Sequence, residues 1–253
     1  MKLPLIEACV DGYASCVAAC RGGADRLELC AHLVIGGTTP SPALFRQVRR
    51  DVPVKTNVLI RPRFGDFLYS EAELDQMCEE IQTFGGLGAN GVVIGALTPD
   101  GDLDLRAMQR MLDCAAGMEV TLHRAFDMTR DPMRTLEDAI ALGCRTILTS
   151  GQEKNALVGA PLLRQLHEAA AGRIDIMAGC GVKKENIRKI YELSGVTTFH
   201  TTARRGVIDS GMRYRKQAVS MGLPSLSEYE LWQTDEDELR ACAQIVHGLG
   251  GNA

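Results

Sequence analysis

Short apolar runs alternate with amphipathic stretches along the whole chain. The runs are six or seven residues long and rich in β-branched residues, as buried strands are, and the stretches between them repeat apolar positions at helical spacing. Eight runs have the character of strands: residues 3–9, 25–30, 54–60, 91–96, 119–124, 145–150, 174–179 and 197–202. The pattern therefore predicts a succession of eight β–α units.

Several helix boundaries carry recognisable local signals. Ser70 followed by Glu73 forms a predicted capping box, and Pro132 is typical of a first helical turn. Gly143 and Gly195 follow helical stretches and are predicted to end them.

Eight β–α units in 253 residues fit a (β/α)8 TIM barrel, whose usual length is about 250 residues. A doubly wound open sheet is the alternative, but it usually has a glycine-rich fingerprint after its first strand, and CVDGYAS lacks one. We predict one α/β barrel domain over residues 1–253. Residues from about 204 to 253 form a C-terminal extension packed on the barrel, loop-like at first and then helical from about Thr234 to His247.

Composition excludes several classes of protein. The chain is 45% apolar and 24% charged, with a net charge of −4 and scattered Arg and Lys, so we expect no nucleic-acid partner. No apolar run approaches the roughly 18 residues of a membrane span, and the first residues lack a signal-peptide layout. We expect a cytoplasmic protein. The nine cysteines include no CxxC pair, and most should be buried small hydrophobes.

Polar residues interrupt the strands at positions that should face the barrel interior. Alternate residues of a barrel strand face the helices and the lumen, and the helix-facing ones must be apolar. The inward positions predicted in this way are Glu7, Cys9, Arg26, Glu28, Cys30, Asn57, Arg61, Thr121, His123 and His200. Barrel interiors are ordinarily apolar, so this collection predicts a functional site at the C-terminal mouth.

A purely structural interpretation exists for each group. Glu7 and Glu28 would form a buried ionic network with Arg26, Arg61 or Lys55. His123 and His200 would be core histidines with satisfied hydrogen bonds, and the cysteines would be plain hydrophobes. These interpretations do not explain why the polar positions collect at one end.

An enzyme acting on a small anionic molecule, with a phosphorylated one as the specific case, is one hypothesis. Phosphate often binds the loops after strands seven and eight of such barrels, which read AGCGVKKEN and TTARRG here, and we expect a helix beginning near Lys183. The candidates for catalysis are Glu7, Glu28, Arg61 and His123, and those for anion binding are Gly179, Gly181, Ala203 and Arg204. The reaction stays open, as does a binding or scaffold role without chemistry.

Longer motifs resemble a known family. They are IEACVDGYASCVAACRGGADRLELC, GGTTPS, IRPRFGDFLYS, GALTPDGDLD, LHRAFDMTRDP, ILTSGQ and FHTTARRGVIDSGM. In this order, from about residue 6 to about residue 230, they are similar to the CutC family of copper homeostasis proteins. The resemblance implies a (β/α)8 barrel, a cytoplasmic location, frequent homodimers and a role in handling Cu(I). It also implies two strand-end cysteines as copper ligands, which match Cys9 and Cys30 here.

Copper chemistry suits part of this site. Cu(I) favours thiolate ligands, and adjacent parallel strands lie about 4.8 Å apart, so the sulfurs of Cys9 and Cys30 can reach one ion. His123, His200 or Met177 are possible further ligands. The neighbouring glutamates are hard oxygen ligands and count against copper as the main purpose of the site.

Overall fold

The computed structural model describes residues 3–204, 206–216, 219, 221–223 and 226–250. Eight parallel strands close in chain order into a barrel, which confirms the predicted (β/α)8 fold. The strands are β1 (Leu5–Val10), β2 (Arg26–Leu29), β3 (Lys55–Leu59), β4 (Gly91–Ile94), β5 (Glu119–Leu122), β6 (Thr146–Thr149), β7 (Asp175–Ala178) and β8 (Thr198–Thr201).

Helices follow the strands and cover the outside of the barrel. They are α1 (Tyr13–Arg21), α2 (Pro42–Asp51), α3 (Glu71–Gly86), α4 (Leu105–Ala115), α5 (Pro132–Ala141), α6 (Ala160–Ala170), α7 (Ile187–Ser194) and α8 (Glu236–His247). Short 3-10 helices occupy Leu33–Ile35, Arg124–Met128 and Gly248–Gly250.

Local capping signals set several of these boundaries as predicted. Ser70 and Glu73 form a reciprocal capping box at the start of α3, which satisfies backbone N–H groups that have no helical partner. Pro132 occupies the first turn of α5. Gly195 ends α7 with a φ of 76°, a left-handed conformation that glycine adopts without steric cost.

Two groups of buried apolar residues lie on opposite faces of the strands. The large outer group joins the strands to the helices and contains the positions predicted to face outward: Ile6, Ala8, Leu27, Leu29, Val58, Ile60, Val120, Leu122 and Phe199. A separate small group inside the barrel contains Cys9, Cys30, Leu59 and Val93. The predicted inward and outward parity is therefore confirmed for these strands.

The region after β8 is more structured than its sequence pattern indicates. A short antiparallel hairpin, β9 (Val207–Asp209) with β10 (Glu230–Trp232), lies where loop-like sequence was predicted. Asp235 caps α8 by accepting the N–H of Glu238 at 2.8 Å, so this helix begins two residues after the predicted start. The helix packs on β1, α1 and α7. In the described part of the chain, no helix combines the length and apolar character needed to cross a membrane.

Candidate functional site

A cavity of about 550 Å³ opens at the carboxyl ends of the barrel strands. Residues from β1, β2 and β8 form one wall, the ends of β3 and β5 with the loop after β3 form the opposite wall, and the loops after β7 and β8 form the rim. Among the residues that line it are Cys9, Glu28, His200, Arg61, Phe67, His123, Gly181, Lys183, Ala203 and Arg204.

Glu7 lies at the centre of a buried ionic network beneath the first wall. The strand register places it between Arg26 on β2 and His200 on β8. One carboxylate oxygen accepts a hydrogen bond from Arg26 Nε, and the other accepts one from His200 Nδ1 at 2.8 Å. Because β1 pairs with both neighbours, closure of the barrel is what brings these three groups together.

The two predicted sulfur ligands lie close to each other at the end of the same wall. The sulfur atoms of Cys9 and Cys30 are 3.8 Å apart, and the Cys9 thiol donates to Glu28 Oε2 at 2.9 Å. The Cys30 thiol donates to the carbonyl oxygen of Val10 at 3.3 Å. Cys30 is fully buried and does not line the cavity, whereas Cys9 does.

Three donor atoms on this wall are near enough to bind one metal ion. One ligand atom each from Cys9, Glu28 and His200 lies within 4.8 Å of the others. Met177 instead accepts a hydrogen bond from Arg26 at 3.6 Å, and His123 lies outside this group of three.

The network fixes the charges of its members. Burial raises the pKa of Glu7, but the Arg26 charge and the His200 hydrogen bond outweigh it and lower this pKa to about 2. Burial opposes a charged His200, yet the Glu28 carboxylate and the bonds to Cys9 and Glu7 raise its pKa well above the ordinary value. At neutral pH the site therefore holds an ionised Glu7 beside a histidinium.

Both thiols resist ionisation. The contact with Cys30, together with burial, raises the pKa of Cys9 well above its ordinary value, and burial raises that of Cys30. Burial also raises the pKa of Glu28. The protein without a ligand thus keeps both sulfurs protonated at neutral pH, and a metal must displace their protons.

Arg61, on the opposite wall, bonds to backbone carbonyls. Its two terminal nitrogens donate to the carbonyl oxygens of Gly37 at 3.0 Å and Gly65 at 2.8 Å, and its guanidinium lies 5.1 Å from the ring centre of Phe67. No carboxylate of the described residues forms a salt bridge with it. Arg61 is therefore not part of the ionic network of Glu7 and Glu28, although the structural interpretation of the sequence named it as a candidate partner.

His123 lies over a strand position that has no side chain. A Cβ atom on Gly95 would lie 2.6 Å from His123 Nδ1, so only glycine leaves room for the ring there. Nδ1 accepts the N–H of Ala125 at 3.1 Å, and the ring centre lies 4.8 Å from that of Phe67. Burial, with the Arg61 charge, lowers the pKa of His123 to about 3. The imidazole is neutral at pH 7.

The loops after β7 and β8 provide less of an anion site than expected. The helix predicted near Lys183 begins at Ile187, and the Lys183 N–H already donates to Asn186 Oδ1 at 2.9 Å. The Ala203 N–H donates to Thr201 Oγ1 at 3.1 Å. These local side-chain acceptors take up N–H groups that the sequence pattern left available to a phosphate.

Of the other residues predicted to bind an anion, two line the cavity and one does not. Gly181 lines the cavity, but Gly179 does not, and its N–H continues the sheet by donating to Thr149 at 2.9 Å. Arg204 lines the cavity and pairs with Asp11 at 2.6 Å.

Two contributors to the cavity were missed from the sequence. Phe67 packs on Arg61 and His123, although its place in the loop sequence RPRFGDFLYS gives no signal of these contacts. Lys184 lines the rim and pairs with Glu238 of α8 at 2.7 Å, so the C-terminal extension contributes to the mouth. The long sequence separation of that pair leaves no local signal.

Comparison with known proteins identifies close relatives. The profile of the CutC family matches residues 4–205. A family protein CutC from Bacteroides fragilis is 47% identical over 91% of this chain and 92% of its own length. The human copper homeostasis protein cutC homolog is 45% identical over 97% of this chain and 90% of its own. The crystal structure of CutC from Streptococcus agalactiae superposes with a TM-score of 0.76 at 31% identity, covering 79% of this chain and 99% of the other.

Proposed function

The chain belongs to the CutC family, and we propose that it takes part in copper homeostasis by binding Cu(I) as cargo at the barrel mouth. The observation that carries the proposal is the proximity of Cys9, Cys30 and His200. The two sulfurs are 3.8 Å apart, and the donor atoms of Cys9 and His200 lie within 4.8 Å of each other. Relatives that are named for copper homeostasis support the same function.

The chemistry of the donors fits a soft ion in part. Thiolates suit Cu(I) best and neutral imidazole is acceptable, so Cys9 and Cys30 would bind the ion, and His200 would assist once its histidinium has lost the Nε2 proton. The carboxylate of Glu28 is a poor Cu(I) ligand, but it accepts the Cys9 thiol hydrogen bond at 2.9 Å and can pass that proton on to solvent as the thiol ionises.

Proton release follows from the raised pKa values of both thiols. Copper competes with protons for each sulfur, so affinity should rise with pH by about tenfold per unit for each thiol that ionises on binding. A competition titration at several pH values between 6 and 8 measures this slope. An affinity independent of pH would contradict binding through these two thiols.

An anaerobic Cu(I) competition titration of single variants tests the ligands. Cys9→Ser should weaken binding at least about 100-fold, and Cys30→Ser should weaken it too, because serine is a hard and poor ligand for Cu(I). Cys180→Ser is the matched control, since Cys180 lines the cavity but lies outside the donor group. Tight binding that survives in both Cys9→Ser and Cys30→Ser would refute the proposal.

An enzyme acting on a small anionic molecule is the second candidate function. The cavity of about 550 Å³ is far larger than an ion requires and lies within the usual range for small-molecule sites. In this proposal Glu28 and His200 hold and move protons, the ionised Glu7 orients His200, and Arg61 and His123 position the substrate.

Anion binding at the rim belongs to the same candidate. Gly181 and Arg204 would bind a phosphate, with Gly179 and Ala203 shaping the two loops. A crystal soaked in sulfate tests this, because sulfate density beside Gly181 and Ala203 supports a phosphorylated substrate. Absence of density there would count against it.

We also propose a cytoplasmic homodimer. All nine cysteines are free, as is usual in a reducing compartment. The β9–β10 hairpin exposes Val207, Ile208, Leu231 and Trp232, an apolar surface of the kind that a second copy covers. Sedimentation of the purified protein tests the dimer, and Ile208→Lys should weaken it.

A further inference from the structure

Two hydrogen-bond donors on the β3–β5 wall are buried without acceptors. Nε of Arg61 and Nε2 of His123 have no hydrogen-bond partner among the described residues, although Arg61 is only 7% exposed and His123 only 5%. Leaving such a donor unsatisfied costs about 1–3 kcal/mol, so each of the two calls for an explanation.

The chemical state of His123 follows from its neighbours. Nδ1 accepts the Ala125 N–H at 3.1 Å, so it has no proton of its own. The low pKa, about 3, keeps the ring neutral, and its single proton is therefore on Nε2. Nε2 is thus an N–H donor that needs an acceptor.

Arg61 adds a positive charge to this wall. Each of its terminal nitrogens donates one hydrogen bond, to the carbonyl oxygens of Gly37 and Gly65, whereas Nε has no acceptor among the described residues. Carbonyl oxygens do not neutralise a guanidinium, and a buried cation without a counterion is costly. The missing acceptor should therefore carry negative charge.

We propose that Arg61 and His123 form a subsite that binds the carboxylate of a small organic acid through Arg61 Nε–H and His123 Nε2–H. Both side chains line the cavity and both contact the ring of Phe67, at 5.1 Å from Arg61 and 4.8 Å from His123. The apolar ring of Phe67 packs against both side chains and lowers the local dielectric around the two donors, which strengthens their bonds to a ligand. Leu59 and Leu148 line the same cavity and supply apolar surface for the rest of the acid.

This inference rests on the second candidate function, that the mouth holds a small organic molecule, and is independent of copper. It names the substrate class, an organic carboxylate, and places its charged group on the wall opposite Cys9. The subsite also differs from the phosphate position expected beside Gly181.

Benzoate is a suitable probe, with benzamide as its neutral isostere. The full-length protein is labelled with ¹⁵N-histidine, and long-range ¹H–¹⁵N spectra report which ring nitrogen of each of the five histidines carries a proton. His123→Phe, which keeps a ring and removes the donor, assigns the His123 signal. The free protein should show a neutral His123 protonated on Nε2.

Benzoate should shift the His123 Nε2–H signal until it saturates, and benzamide should bind about tenfold or more weakly because it lacks the charge. Arg61→Met should remove this preference for the anion. The signals of His32, His167 and His247, which lie outside the cavity lining, should not move.

The remaining outcomes distinguish failure of the Arg61–His123 subsite from failure of the second candidate function. A proton on Nδ1 of His123 would overturn the inference without any variant. A benzoate shift at His200 but not at His123 would overturn this subsite alone and leave the second candidate function standing. If no histidine signal moves, both fail, while the Cu(I) titration decides the copper proposal separately.

Discussion

The two walls of the barrel mouth treat buried polar groups differently. On the β1, β2 and β8 wall, Glu7 bonds to Arg26 and His200, and Glu28 bonds to Cys9. On the β3–β5 wall, Arg61 Nε and His123 Nε2 have no partner among the described residues. The first wall is stable as it stands, because its charges compensate one another. The second lacks the acceptor that its donors require.

This difference separates structural from ligand-dependent roles. A buried ionic network is explained by its own internal pairing, so it is weak support for a function. Unsatisfied buried donors have no such internal explanation, and they point to a ligand. Copper binding would therefore use the wall that is already complete, and must displace protons there. An organic acid would complete the other wall.

Removing the Glu7 charge should have the largest effect. Glu7→Gln keeps the shape but leaves Arg26 and His200 without their counterion, so we expect a loss of about 3–5 kcal/mol in the free energy of unfolding. Urea denaturation measures it. Glu137→Gln, which breaks the exposed pair with Arg173, is the matched control and should change stability by less than about 1 kcal/mol. Equal losses in the two variants would show that the network is not the stabilising element.

Filling the space at Gly95 should disturb the opposite wall. Gly95→Ala places a Cβ 2.6 Å from His123 Nδ1, so the ring must move, and we expect a loss of about 1–3 kcal/mol. Gly86→Ala is the control, since a Cβ there would meet nothing within 4 Å. At the end of α3 it should be neutral or stabilising by up to about 1 kcal/mol. Urea denaturation compares the stabilities of the two variants. An unchanged ¹⁵N spectrum of His123 in Gly95→Ala would contradict the close approach of its ring to Gly95.

Acid should destabilise the unpaired wall through His123. Its pKa is about 3 in the folded protein against an ordinary 6.5, so as pH falls through this window the unfolded chain gains a proton that the native protein cannot take up. Between pH 6.5 and pH 5 the wild type should lose about 1.5 kcal/mol that His123→Phe does not lose.

We subtract the curve of unfolding free energy against pH for His123→Phe from that for the wild type. The difference excludes the contribution of the carboxylates, which both proteins share. His167→Gln, at an exposed position, removes no buried imidazole and should run parallel to the wild type. Parallel curves for His123→Phe as well would contradict a neutral, buried His123.

Much of the barrel could be predicted from alternation alone. Ile6 and Ala8 face the helices, so Glu7 and Cys9 must face the lumen, and the same parity sends Glu28 and Cys30 inward. The rule holds because each strand is covered by helices on one face and by the other strands of the barrel on the other. The cap of α3 at Ser70 and the start of α5 at Pro132 depend on equally local signals.

The rim was predicted less well, because local hydrogen bonds decide which N–H groups are available. Asn186 accepts from Lys183 and Thr201 accepts from Ala203, both over short distances that depend on loop conformation. Phe67 and Lys184 reach the cavity through loop folding and packing against α8, neither of which has a periodic signal.

The sequence alone thus determined that the barrel mouth is polar. Strand side chains alternate between the helices and the lumen with a period of two residues, and the helix-facing ones must be apolar, so both properties can be recognised locally. Which polar groups meet was decided by closure and loops. Glu7 reaches His200 across 193 residues because β8 pairs with β1, and the pairing leaves both groups charged. Arg61 donates to the carbonyl oxygens of Gly37 and Gly65. Burial keeps His123 neutral, and the Ala125 N–H occupies Nδ1, so the donor of the ring is Nε2. Partners and protonation depend on distances between atoms remote in sequence, and these exist only once the barrel has closed.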